Sequence, residues 1–418
     1  MKREPITVCQ AVQLLMDHCH RLETEKVSLE EAYGRILRES IIARHDVPPF
    51  DRSPYDGYAI RAVDSKGASP SNPIAFRVIG ELGAGHIGDE PLQRYEAYRI
   101  MTGALLPRNA DAVVMLEEAE DVEEGFIIKR SFAKHENISF QGEDAKKGEK
   151  LIPEGSFIHP GTVALLATFG YRTVTVGKRP KVSIIATGTE LLEVDEPLQP
   201  GKIRNSNGPM LQAQLQRMNI PFQSLGIIED DLEASIEMVK EALRQSDIVI
   251  TTGGVSVGDF DYLPVIYERL GAKVLFDKVM MRPGSVTTVA VLDDKLLFGL
   301  SGNPSACFTG FELFTRPAII KMMGGTAPFL PRMKAKLGED LQKRNPFTRF
   351  IRAVWEMTAS GPVVVSAGFN KSNAVSSIAR GNCFIVLPKD SEGHRAGREV
   401  DILLLGQEQG VQTFLKHI

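Results

Sequence analysis

Between residues 182 and 323 the chain alternates two periods, and this alternation constrains the fold more than anything else in it. VSIIAT, FQSLGII and DIVITT are short apolar, β-branched runs; NGPMLQAQLQRM and DLEASIEMVKEALRQS between them carry helical spacing. Strands without polar alternation are buried on both faces, and strands joined through helices run parallel. DFDYLPVIYERLG adds a helix with Pro264 near its start, and AKVLFDKV a further strand. VTTVAVL and KLLFGL flank a hairpin at Asp293-Asp294, and a helix runs from Pro304 to about Met323. The segment reads as a central, doubly wound, mostly parallel α/β domain.

The flanks have a different character. TVCQAVQLLMDHCHRL (7–22) is an amphipathic helix with Thr7 as N-cap. SLEEAYGRIL (28–37) reads as a second helix, with a Ser28–Glu31 capping box. From about 41 to 176, Pro and Gly break the chain into short strand-like runs such as IAFRVIG, DAVVMLE and GFIIKR. From 333 onward strand patterns return, as a small all-β barrel or sandwich. A chain of 418 residues is too long for one core. The expected fold is multidomain α/β plus β: an N-terminal helix (1–26) packing with the α/β domain, an elongated linking domain (27–52 and 141–176), a β-rich inserted domain (53–140), the α/β domain (177–326) and a C-terminal β-barrel (327–418).

Charge excludes some functions. Forty-nine basic against 53 acidic residues leave a net −4, so nucleic acid is not an expected partner. The four cysteines form no CxxC pair, which argues against a zinc site or a disulfide framework. No apolar run reaches the ~18 residues of a membrane span, and the N-terminus lacks a secretory h-region. The expectation is a cytoplasmic protein that does not meet a membrane.

Two strands of the α/β part end alike, SIIATGTE (183–190) and IVITTGG (248–254). In doubly wound sheets ligands sit beyond such ends. Thr187, Gly188, Thr252, Gly253, Gly254 and Ser256 are therefore candidates for holding an anionic ligand, against the plainer reading of tight turns. Neither a Walker loop nor a GxGxxG fingerprint is present. Glu190, Asp230, Asp231, Asp259 and Asp261 follow strand ends of the same domain. Helix capping accounts for such acids singly, but several beside a phosphate call for a hard cation such as Mg²⁺. Lys278 and Arg282 lie four apart; a continuing strand would put both on one face, suited to a second anion. SGNPSACF (301–308) reads as a helix entry at which Gly302, Asn303, Pro304 and Ser305 offer free N–H groups and a hydroxyl. RSPYDGYAIR and IMTGALLP by composition alone are turns.

Taken in order, PFDRSPYDGYA, IMTGALLP, ATGTEL, RNSNGPML, TTGGVSVGDFDY, MRPGSV, GLSGNPSACF and GNCFIVLP resemble the molybdopterin molybdenumtransferases of the MoeA and gephyrin E-domain type, along essentially the whole chain. The resemblance implies insertion of molybdenum from molybdate into adenylylated molybdopterin, with release of AMP, Mg²⁺ assistance and a homodimer. It implies contact with molybdopterin adenylyltransferase and with cofactor-accepting molybdoenzymes. Matched residue by residue, it places functional roles on Asp56, Thr102, Glu190, Asp230 or Asp231, Asp261, Lys278, Arg282 and Pro304. Arg352, Ser372 and Ser376 match in the C-terminal part, and Glu190 and Asp261 fall to the metal. The chain departs from the family where KPGKP becomes RPGSV, which leaves Ser285 uncharged, and where PGNP becomes SGNP. The rival expectations are a molybdopterin adenylyltransferase, which the flanking β regions argue against, and a non-catalytic molybdopterin-binding scaffold, which the retained acids argue against.

Overall fold

The computed structural model describes residues 4–88, 90–228, 231–253, 263–342, 346–407 and 410–414. The chain divides into two compact units. One comprises Ser40–Ile152 with Thr168–Gly170; the other holds the remainder.

Helix α1 (Val8–His18) starts at Thr7, where a capping box with Gln10 closes the first turn, and buries Val8, Ala11, Val12, Leu15 and Met16. The expected second helix over 28–37 does not form. Ser28 and Glu31 do make their capping box, but only one tight turn, Leu29–Glu31, follows it. Gly34 then sits at φ +77°, a left-handed angle that an α-helix cannot pass through.

The smaller unit is built on a six-stranded half-barrel sheet. Its strands are β1 (Gly57–Ile60), β2 (Ile74–Leu82), β3 (Glu96–Ile100), β4 (Ala112–Met115), β5 (Ala119–Val122) and β6 (Gly125–Ile128). Their order is β4-β1-β3-β2-β6-β5. Its core packs Tyr58, Phe76 and Phe126, with the Tyr58 and Phe126 rings stacked 3.9 Å apart.

The larger unit contains the doubly wound sheet, with strands β7 (Val182–Thr187), β8 (Phe222–Ile228), β9 (Ile248–Thr252), β10 (Lys273–Phe276), β11 (Thr288–Leu292) and β12 (Lys295–Leu300). The order is β8-β7-β9-β12-β11-β10. The first four are parallel, and β11 and β10 form an antiparallel edge. Side chains alternate across the strands. Val182, Ile184, Ile248, Ile250 and Phe298 thus meet α1, α2 (Asn207–Arg217) and α5 (Pro304–Gly310) on one face. Ile185, Val249 and Leu297 meet α3 (Leu232–Gln245) and α4 (Leu263–Arg269) on the other. A π-turn, Phe311–Thr315, joins α5 to α6 (Arg316–Met322).

The C-terminal strands close on themselves, deciding for a barrel over a sandwich. They are β13 (Arg332–Leu337), β14 (Thr348–Thr358), β15 (Gly361–Ser366), β16 (Cys383–Leu387) and β17 (Glu399–Leu404). The circuit runs β14-β15-β13-β17-β16 and returns to β14. Ala335, Ile351, Val364, Ile385 and Ile402 fill its interior. No helix among the described residues is long and apolar enough to cross a membrane.

Candidate functional site

The strand order places the site. From β7 the chain passes through α2 to β8 on one side, then through α3 to β9 on the other. The connection therefore reverses between β7 and β9, and their carboxyl ends open onto the switch point where α/β proteins bind ligands. Three loops meet there. The Gly188 N–H donates to the Ile228 carbonyl at 3.1 Å, and the Gly253 N–H to the Leu300 carbonyl at 3.1 Å. The Thr187 hydroxyl donates to the Thr252 carbonyl at 3.2 Å. Gly253 sits at φ +92°, and a Cβ there would lie 2.3 Å from the Thr187 carbonyl oxygen, so only glycine lets these loops approach. A Cβ on Gly188 would lie 2.5 Å from Glu190 Oε2, so the Glu190 carboxylate folds back over its own loop. Glu190 is exposed and its carboxylate carries no hydrogen bond or ion pair among the described residues.

Gly302 adds the third loop, close against Gly253. The structure also assigns a role to Asn207, which the sequence reading passed over as part of a helix opening. Its amide donates to the Gly302 carbonyl at 2.9 Å and ties α2 to this loop. Asn207 is 7% exposed, and the only signal in the sequence was its place inside the motif RNSNGPML.

Two expectations here need correction. Ser305 does not present a free hydroxyl. It is fully buried, its Oγ donates to the Ala374 carbonyl at 2.6 Å and its N–H to the Ser372 carbonyl at 3.0 Å. Pro304 at N1 brings no N–H, and those of Ala306 and Cys307 return to the Asn303 carbonyl. The helix entry thus grips the 372–374 loop, which leaves Ser372 exposed beside it and Ser376 exposed at the next short helix. Arg352 acts in the same sense. It is 1% exposed, and its guanidinium donates to the Lys371 carbonyl at 3.0 Å and to the Ser377 hydroxyl at 3.3 Å. Burial, with Arg349 nearby, pulls its pKa down to about 10, still charged at neutral pH.

Lys278 and Arg282 do not share a continuing strand. β10 ends at Phe276, and the chain turns so that the Val279 N–H reaches the Ser285 carbonyl at 2.9 Å, with Pro283-Gly284 inside the turn. Arg282 instead pairs in parallel with Arg349 of β14, is exposed, and lies 4.7 Å over the Phe347 ring. Lys278 is half-buried, and its carbonyl accepts the Ile6 N–H. Arg349 was missed. Burial first and then Arg282 hold its pKa below the ordinary value. An arginine on the strand TRFIRAVW, directly opposite a matched cation, is a signal visible only once the pairing is known.

Asp56 and Thr102 belong to the smaller unit and meet each other. Asp56 precedes β1 and Thr102 follows β3, and the antiparallel register Gly57↔Ile100 sets the two side by side. The Thr102 N–H and hydroxyl both donate to Asp56 Oδ1 at 2.7 Å. Those bonds, the backbone one first, hold the exposed Asp56 carboxyl below its usual range.

Asp230, Gly254, Ser256, Asp259 and Asp261 lie outside the described residues. Asp231 caps α3, accepting the Ala234 N–H at 2.7 Å. Cys9, Cys19, Cys307 and Cys383 form no disulfide. Burial pushes the Cys19 and Cys383 thiols up to about 12. They sit as packing residues, far from the reactive thiolate range.

A doubly wound domain with glycine loops at its switch point, combined with a half-barrel unit and a closed five-stranded barrel, defines a multidomain α/β protein with a ligand site at the carboxyl ends of its parallel strands. Residues 183–321 match the probable molybdopterin binding domain family. Residues 6–170 match the MoeA N-terminal region (domain I and II), and 334–405 the MoeA C-terminal region (domain IV). A molybdopterin molybdenumtransferase of Staphylococcus aureus (strain COL) is 52% identical over 414 residues, 99% of each chain. One from Staphylococcus epidermidis is 51% identical over 403 residues, 96% of each. The solved molybdopterin biosynthesis moeA protein of Pyrococcus horikoshii OT3 superposes with a TM-score of 0.83 at 34% identity, covering 96% of this chain and all of that one. The chain belongs to the MoeA family; it is an enzyme, a transferase of molybdenum cofactor biosynthesis.

Proposed function

We propose that this enzyme takes molybdenum from molybdate and inserts it into adenylylated molybdopterin, releasing AMP, with a divalent cation such as Mg²⁺. The reading is carried by the convergence of the Thr187–Glu190, Gly253 and Gly302–Ser305 segments at one switch point, with the exposed Ser372 held against them by α5. Open strand ends of this kind suit a phosphate and a flat heterocycle. Cleaving a phosphoanhydride requires donors aimed at the charge that develops on the leaving phosphate, and molybdate adds two more negative charges nearby. Arg282 and Lys278 offset that repulsion. Arg352 acts through the backbone it holds, as a positioning residue for Ser372.

The fit of the cation rests on Glu190, an exposed hard oxygen donor whose carboxylate has no other partner among the described residues. Mg²⁺ is ordinarily held by one or two carboxylates with phosphate oxygens completing its shell. Among the described residues no group of three or more His, Cys, Asp or Glu side chains gathers to hold a metal unaided, which fits a site completed by substrate. Asp261 is the second proposed ligand. When bound, the ion would neutralise phosphate charge and set its oxygens for departure. We place the enzyme in the cytoplasm as a homodimer, receiving substrate from molybdopterin adenylyltransferase and passing product to molybdoenzymes.

AMP release from adenylylated molybdopterin tests the reading. Release should need both molybdate and Mg²⁺ and should fall sharply in Glu190→Gln combined with Asp261→Asn. Unchanged molybdenum insertion by that double variant overturns the assignment of these acids. Unchanged molybdate-dependent release by Lys278→Ala removes the anion role from Lys278.

A further inference from the structure

A cavity opens at the end of the central sheet away from the switch point. Lys178 and Arg179 lead into β7, and Pro221 leads into β8, so the cavity lies at the amino ends of these strands. The six-residue β7 separates it from Thr187 by roughly 17–20 Å at the usual rise per residue. Its volume is about 540 Å³, within the range of small-molecule sites.

The lining is cationic. Arg35, Lys178 and Arg179 face Glu25 alone among acids. Glu25 is taken up by Arg35, whose guanidinium also donates to the Gly177 carbonyl at 2.9 Å. Lys178 pairs with Glu23 at 2.7 Å, but both side chains are largely exposed, and such pairs are weak. Arg179 makes no hydrogen bond and no ion pair among the described residues, although its Nε is buried. Arg35, at 4% exposure, likewise buries an Nε without a partner. Buried guanidinium N–H groups left unbonded are costly and seldom retained without a use. Burial, then Arg35, hold the Arg179 pKa below its ordinary value, and Glu25, already paired with Arg35, offsets them only in part. Gln216 and Asn219 add amide groups, and Ile220 and Pro221 an apolar wall.

We propose that this cavity is a binding site for a small phosphate dianion, free or as a monoester of a small polar molecule, held principally by Arg179. Planar guanidinium forks match phosphate oxygens in pairs, and the amides beside them suit an attached hydroxylated group. The site is separate from the switch point and needs neither molybdate nor molybdopterin.

Calorimetric titration of the full chain with inorganic phosphate and, separately, with ribose 5-phosphate tests it in the absence of the other substrates. Arg179→Gln should weaken binding roughly 10- to 100-fold, the worth of a charge-assisted hydrogen bond. Arg179→Lys, which keeps the charge and loses the fork, should fall between and serves if the glutamine variant does not fold. Arg282→Gln, at the other site, should leave this binding unchanged. Tighter binding of the sugar phosphate assigns a monoester; equal binding assigns free phosphate. The proposal is overturned if neither ligand gives saturable binding, or if Arg179→Gln and Arg179→Lys bind as the parent does. Either result leaves the switch-point reading intact.

Discussion

The two sides of the switch-point site hold their charges in opposite ways. On the α/β side, Glu190 hangs exposed from a glycine loop. On the barrel side, Arg352 is buried and fastened to the Lys371 carbonyl and Ser377. An exposed carboxylate is well solvated and costs the fold nothing, whereas a buried guanidinium is costly unless its N–H groups find partners. The acid is therefore free to answer a ligand, and the buried cation is part of the frame. Removing charges from the two sides should have different consequences.

The largest loss of stability is expected from Arg352→Ala, which empties a packed position and orphans the Lys371 carbonyl. We expect about 2–4 kcal/mol, read from the urea midpoint. If the variant is as stable as the parent, Arg352 is not part of the frame. Next comes Gly253→Ala, where φ +92° and the Thr187 carbonyl both oppose a methyl group. About 1–3 kcal/mol of strain is expected, with binding of molybdopterin weakened in the same variant. Glu190→Gln should stay within about 0.5 kcal/mol of the parent, while AMP release falls on the order of 100-fold. A large stability loss there would erase the contrast. The smallest effect concerns Asp56. Its folded pKa is depressed by Thr102; any stability this contributes is present above the unfolded carboxyl value of about 3.9 and is lost as pH falls through the lower folded value. Carboxyl NMR titration should give a midpoint under 3.9, and Thr102→Val should raise it.

Much of the architecture was legible because it is written locally. Parallel strands announce themselves as apolar runs, and Thr7 and Pro304 mark true helix starts. The same local reasoning failed at 28–37, where a correct capping box starts only a single tight turn and Gly34 then takes a left-handed angle. It failed again at Lys278 and Arg282, because β10 ends at Phe276 and a four-residue spacing says nothing once the strand has stopped. Arg349 could not be recognised before its pairing with Arg282 was known.

By itself, the sequence determined most of the helices and strands of the α/β part, which loops are glycine-rich, and which charged residues stand near strand ends, since period and turn chemistry act over a few residues. Only the tertiary structure decided what each polar group bonds to. Ser305 gives its hydroxyl to Ala374, Asp56 meets Thr102 from 46 residues away, and residues 25, 35, 178 and 179 gather at one cavity. Those partnerships depend on strand register and on packing between distant segments, which no local pattern encodes.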